Sequence, residues 1–425
     1  MIAIAAVLVA APLPAATIAF TGGTVALGDG SAPIANGTVV IANGRVVSAG
    51  ANAAVPAGAQ VVDVHGKWVT PGLIGALTSI GIQDVEGVSE TNDTRSKNSP
   101  FSAAIDVSDA IDMTSQTIGV ERSGGVVRAF TAADASNTIF GGQGAFVSLA
   151  SMAEPVIKAR LFQYAELGED SMRSGGGTRP AAHALLRAAL AAAKNPALAS
   201  DLSKDALITR ADAAALLPVV EGRMPLLVHV ERASDIRQVL RLKQDYPALK
   251  LVLVGVTEGW MVAPAIAAAH VPVIAAALVD LPESFESLAA TQSNVGRMIK
   301  AGVQVALSTI DVTGGGPQQR NLTQFAGNLV ALTKVPGASG LDWGTAFATI
   351  TSKPAAVMGL PDYGTLKPGA HADVVVWDGD PLELSSAPVA MFIDGVQQPI
   401  TSRQTRLRDR YAHPGEGALP KAYER

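Results

Sequence analysis

Between Thr17 and about Val69, apolar and polar positions alternate in short runs, TIAF, TVAL, GTVVI, RVVSAG and AQVVDV, with turn residues between them. This is the period of half-buried strands. In TVVIANGRVVS, Asn43-Gly44 sits between two Val-rich runs and predicts a two-residue type I′ hairpin turn. The pattern returns near the other end. ADVVVWDGDP and MFIDGVQQPI predict two further strands, with Asp394-Gly395 as a turn. Two β segments at opposite ends, flanking a long middle, predict one composite β-sandwich from residues 17–69 and 364–402.

The middle, residues 70–363, alternates apolar runs with helical stretches, which predicts βα units around a parallel sheet. Seven barrel strands can be named: VTPGLI, GGVVRAF, AFVSLA, PLLVHV, KLVLVGV, VPVIAAA and VQVAL. A closed (β/α)8 TIM-like barrel needs eight. The eighth is expected between Ala150 and Arg223, where only an Ala-rich helix from Pro180 to Lys194 is legible. Residues 403–425 read as a tail.

Composition sharpens this α/β picture without redirecting it. Hydrophobic residues make up 48% and charged residues 16%, ample for a core and unlike a disordered chain. Aromatics are only 4%, so that core is expected to be aliphatic. The net charge of −5 and the single basic run, RQTRLRDR at 403–410, give no footprint for nucleic acid. Absence of cysteine excludes thiol catalysis, disulfides and thiolate metal sites. Residues 1–16, MIAIAAVLVAAPLPAA, have the length of a signal peptide and small residues at Ala15-Ala16, but no basic start. They read as a leader remnant, which implies a periplasmic or secreted protein; an ordinary strand and helix in a cytoplasmic protein is the alternative. The run is too short to span a membrane, and an integral membrane protein is not expected.

The stretch Trp68 to Gly81, WVTPGLIGALTSIG, resembles the entry strand of the amidohydrolase superfamily, V-x-P-G-h-I-D-x-H-x-H. At the other end, TSKPAAVMGLPDYGTLKPGAHADVVVW is similar to that family's closing signature, nearest to its imidazolonepropionase-like branch. The resemblance implies a barrel interrupting a composite sandwich, zinc or another divalent metal, and hydrolysis of C–N bonds in cyclic amides or dipeptide-like substrates. It also implies where the ligands belong. Counted from Pro71, the family's aspartate falls on Gly75 and its two histidines on Leu77 and Ser79. The fifth-strand histidine matches His229, and the sixth-strand histidine falls on Gly255. The eighth-strand aspartate falls on Ile310, with Asp311 one residue away, and no fourth-strand lysine or carboxylate can be named.

A hydrolytic zinc needs three protein ligands and an open position for water. Leu77 and Gly255 cannot supply them, and Ser79 is a poor donor. A tightly bound metal is therefore not expected. Two functions remain open. The chain hydrolyses C–N bonds with a reduced site, Asp311 or Glu231 acting as base and His229 orienting water or a small-molecule substrate. Alternatively it is a pseudoenzyme, a ligand-binding or scaffold subunit, alone as a homo-oligomer or paired with an active relative. For His229 itself, a satisfied polar residue at a partly buried strand end stands beside the catalytic role. The acidic stretch from Gly81 to Asp112 reads as a lid or cationic binding surface on one account and a solvated insertion on the other.

Overall fold

The computed structural model describes residues 17–412 except 86, 152–153, 201–207, 278 and 311–317. The leader at 1–16, Asp311, and residues 413–425 of the tail lie outside the described residues.

Five strands open the chain: β1 (Ile18–Val25), β2 (Ile34–Ala42), β3 (Arg45–Gly50), β4 (Gln60–Asp63) and β5 (Trp68–Pro71). The barrel strands are β6 (Leu73–Thr78), β7 (Val126–Thr131), β8 (Phe140–Ser148), β9 (Val156–Glu166), β10 (Leu226–Val230), β11 (Leu251–Gly255), β12 (Val273–Ala275) and β13 (Val305–Leu307). Three more close the chain: β14 (Val374–Trp377), β15 (Pro388–Ile393) and β16 (Val396–Gln397).

The two chain ends share one hydrogen-bonded sheet in the order β16-β15-β14-β5-β1-β2-β3, with β4 beside β1. Asn43 and Gly44 have φ of 51° and 73°, and Asp394 and Gly395 have 48° and 74°. Both pairs thus hold the left-handed geometry a type I′ turn requires. Pro71-Gly72 is the passage between sheets. The run VTPGLI is split there: Trp68–Pro71 pairs with β14 in the outer sheet, and Leu73–Thr78 begins the barrel.

The second sheet runs β6 to β13 in sequence order. The unplaced eighth strand is β9, the fourth in order, which lies inside the span 150–223. One feature departs from the expected all-parallel barrel. The third strand, β8, runs antiparallel to both β7 and β9, while every other neighbouring pair is parallel. The connection from β8 to β9 is short, and a short connection cannot carry the crossover that parallel strands need. The seam between β13 and β6 is held by neighbours: Leu307 N donates to Thr349 O at 2.9 Å, Ile74 N to Ile350 O at 3.0 Å, and Ser308 Oγ to Leu77 O at 2.6 Å.

Inside the barrel, Ile74, Phe130, Phe162, Leu227, Val254 and Ile274 belong to one buried apolar cluster. Strand side chains alternate between faces, so Leu227 on the inner face puts His229 on that face two residues later, near the carboxyl end of the strand. The opposite end is sealed. Arg128 of β7, fully buried, donates Nε to Asp373 Oδ2 at 2.7 Å and Nη2 to Asp373 Oδ1 at 2.8 Å and Asp394 Oδ2 at 2.7 Å. Asp394 Oδ1 lies 2.6 Å from His371 Nδ1, and the His371 ring stacks on Tyr363 at 3.9 Å. Barrel and outer sheet are thus locked through one ion cluster.

Candidate functional site at the barrel mouth

The mouth is built where the strands end, the face on which barrel proteins place their chemistry. His229 Nε2 lies 2.6 Å from Glu231 Oε1, with side-chain exposures of 19% and 7%. Glu231 Oε2 accepts the backbone N–H of Thr257 at 2.7 Å. Gly255 and Val256, at the turn after β11, both have positive φ, 82° and 61°. A β-branched residue in that region is strained by about 1–3 kcal/mol. The two left-handed residues lead directly into Thr257, whose N–H meets Glu231.

The positions expected to be vacant are filled by the chain itself. A Cβ at Gly255 would overlap Glu231 Oε1 and would stand 2.7 Å from His229 Cδ2. The Glu231 carboxylate therefore occupies the place where a sixth-strand side chain would project. A Cβ at Gly75 would lie 3.0 Å from Gln319 Cγ. Gln319 is fully buried, donates Nε2 to Thr309 Oγ1 at 2.7 Å, and accepts Ser308 Oγ at 3.2 Å. Leu77 is 5% exposed within the inner apolar cluster, against which Ile310 also packs. Ser79 Oγ donates to Gln83 Oε1 at 3.3 Å. The structure thus brings His229 and Glu231 together, holds Gly255 against both, and leaves Leu77 and Ser79 in separate packing environments.

Three carboxylates that sequence reasoning did not single out complete the mouth. Glu166 ends β9, so a fourth-strand carboxylate does exist; its signal was an acidic residue closing the apolar run LFQYA. Burial pushes Glu166 up to about 7, aided by the Asp134 charge and opposed by His229 and by the Ala135 N–H it accepts at 3.0 Å. Burial likewise pushes Glu286 up to about 7, against the N–H of Glu169, which it accepts at 2.9 Å, and the charge of His229. Glu286 comes from the loop after β12, far away in sequence, and no local pattern marks it. Desolvation also raises Asp134, against Arg95 at 3.2 Å, though with 46% of its side chain exposed water screens part of this effect. The Arg95–Asp134 pair and the hydrogen bonds of Asp84 with Ser115 and Gln116 fasten the acidic 81–112 stretch onto the barrel.

A carboxyl whose folded pKa is raised favours folding when protonated. Its contribution is full below the unfolded value near 4.5 and is lost as pH rises through about 7. Glu166→Gln is therefore expected to raise the denaturant midpoint more at pH 8 than at pH 5. Equal midpoint shifts at both pH values would rule out a neutral Glu166 in the folded state.

The donor set for a divalent ion can be judged from chemistry. Leu77 and Gly255 offer no donor atom, the Gly255 space holds Glu231, and His229 Nε2 is turned to that carboxylate. Among the described residues, no three His, Cys, Asp or Glu side chains group as metal donors. The described residues do not fit a three-ligand hydrolytic zinc.

Comparison with known proteins places these features in context. The profile of the amidohydrolase family matches residues 119–396, more than half of the 425. An amidohydrolase from Thermotoga maritima MSB8 superposes with a TM-score of 0.77 at 25% identity, over 91% of this chain and 100% of that one. Molinate hydrolase superposes with a TM-score of 0.54 at 17% identity, over 96% and 98% of the two chains, a likeness of fold alone. Amidohydrolase tasK of Hapsidospora irregularis is 45% identical over 60 residues, which span 14% of this chain and 6% of that protein.

Proposed function

The chain belongs to the amidohydrolase family, and from that premise we propose that it is a member whose metal centre has been replaced by internal hydrogen bonding, a binding or scaffold subunit rather than a metallohydrolase. One observation carries this reading: the Glu231 carboxylate fills the sixth-strand ligand space beside Gly255 while bonded to His229 and Thr257 N. A lost ligand alone would leave a hole. Here the hole is occupied by a group whose own hydrogen bonds are satisfied, and Gln319 does the same beside Gly75.

A second reading is supported by the carboxyls near 7 around His229. Groups that change protonation near neutral pH are suited to acid–base work. On this reading Glu231 or Asp311 takes a proton from water, His229 orients it, and a protonated Glu166 or Glu286 supplies the proton to a departing amine, all without metal.

Metal analysis of the purified protein, combined with turnover on a panel of N-acyl amino acids and dipeptide-like amides, separates the two. The binding-subunit reading expects substoichiometric divalent metal and no difference between wild type and His229→Ala. Metal-independent turnover abolished by His229→Ala would replace it with the second reading. One equivalent of zinc with metal-dependent turnover would remove both.

A further inference from the structure

Two surfaces of this chain expose apolar side chains under opposite charge. The first is the loop after β12, at the mouth. Leu281, Phe285 and Leu288 are 74%, 81% and 64% exposed, and Asp280 and Glu283 beside them are exposed too. This loop is pinned from below: Glu286 accepts Glu169 N, Ala289 N donates to Glu258 Oε1 at 3.2 Å, and Trp260 Nε1 donates to Ala289 O at 2.9 Å. The anchors face inward, so the apolar side chains are held outward. Large apolar side chains gathered on one exposed segment mark a contact surface.

The second surface is the helix Arg403–Ala412, which has no buried residue. A helix normally gains its stability by burying one face. This one exposes Leu407 and Tyr411, one turn apart, beside Arg406 and Arg410. Arg408 is paired with Asp409 and Arg403 with Gln116, and no ion pair to a carboxylate holds Arg406 or Arg410 among the described residues.

We propose that the acidic apolar loop 280–288 of one molecule docks against the basic helix Arg403–Ala412 of a second copy, reciprocally, in a twofold dimer. Charge selects the occupant. Asp280 and Glu283 repel an anionic lipid surface and attract an arginine-flanked apolar stripe, and this chain carries such a stripe. A twofold arrangement uses both halves twice and leaves neither surface to extend a filament. Because Glu286 sits on the docking loop with its carboxylate in the mouth, the partner would lie over the rim of the site.

Sedimentation velocity across a concentration series, at low and high salt, tests this. The expected result is a monomer–dimer equilibrium weakened by salt, and weakened about tenfold or more by Phe285→Asp or by Arg406→Glu with Arg410→Glu. Circular dichroism of each variant should match that of the wild type, since the substituted side chains are exposed. Mixing the two defective proteins should recover part of the association, since one loop–helix contact between them remains complete. A monomer at every concentration, or a dimer indifferent to both variants, overturns the proposal. So does association of a monomer with phosphatidylglycerol vesicles that is lost on substituting the arginines, because the helix would then serve a membrane.

Discussion

Arg128→Met is expected to lower stability by about 3–5 kcal/mol, the usual cost of breaking a buried ion pair from one side, seen as a drop in denaturant midpoint at constant slope. Asp373, 3% exposed, would keep its charge in the interior without its bidentate partner. The loss is not confined to the barrel. Asp373 immediately precedes β14, and its Oδ1 also accepts the Asp394 N–H at 2.9 Å, so both elements of the outer sheet lose their tie to β7. Adding Asp373→Asn should restore part of the stability, since no unpaired ionised carboxylate would then remain buried. The same cluster gives acid sensitivity. Burial works to raise Asp394, but the His371 hydrogen bond and the Arg128 charge prevail and hold it at about 2, below its ordinary 3.8. A depressed carboxyl stabilises above its unfolded value, and that contribution is lost as pH falls from about 3.8 through about 2. A midpoint shift below about 1 kcal/mol in Arg128→Met, the range of an exposed pair, would mean the cluster does not lock the two sheets.

What could be read in the chain, and what could not, follows from how local each signal is. The turns at Asn43-Gly44 and Asp394-Gly395 and the passage at Pro71-Gly72 are fixed by two residues each, and the amidohydrolase family was legible because its opening and closing motifs are equally local. Strand β9 was missed because its first half, Ile157 to Arg160, is exposed and mixes Lys158 and Arg160 with Ile157 and Ala159, and only Leu161 to Ala165 is buried. A strand that begins as an exposed hairpin arm breaks the apolar pattern sought. The reversed direction of β8 had no sequence mark at all, since apolar runs read the same whichever way a strand points. At the site, His229 and Gly255 could be placed by counting along strands. Glu286 and Gln319 could not, because one comes from a loop and the other from the short 3-10 turn Gln319–Asn321, and the position of each depends on contacts formed only in three dimensions.

Gly255→Ala offers the sharpest test of how the mouth is built, with an expected loss of about 2–4 kcal/mol by the sum of two costs. The first is the backbone. With φ at 82°, an L side chain is strained by about 1–2 kcal/mol whatever surrounds it. The second is Glu231, whose carboxylate would be overlapped by the new methyl group and would have to leave His229 and the Thr257 N–H. Glu231→Ala alone should cost about 1–3 kcal/mol, because it strips a hydrogen bond from a buried backbone N–H. In the double variant the overlap with Glu231 has gone and only the backbone strain and the close approach to His229 Cδ2 add to that loss, so the two substitutions should couple by about 0.5–3 kcal/mol in a double-mutant cycle. Strict additivity would show that Glu231 does not occupy the sixth-strand space. Coupling of the expected sign has a consequence for any attempt to rebuild a metal site here. Placing histidine at Gly255 would meet the same carboxylate, so a ligand could return to this strand only after Glu231 had been removed, together with the partner that now holds His229.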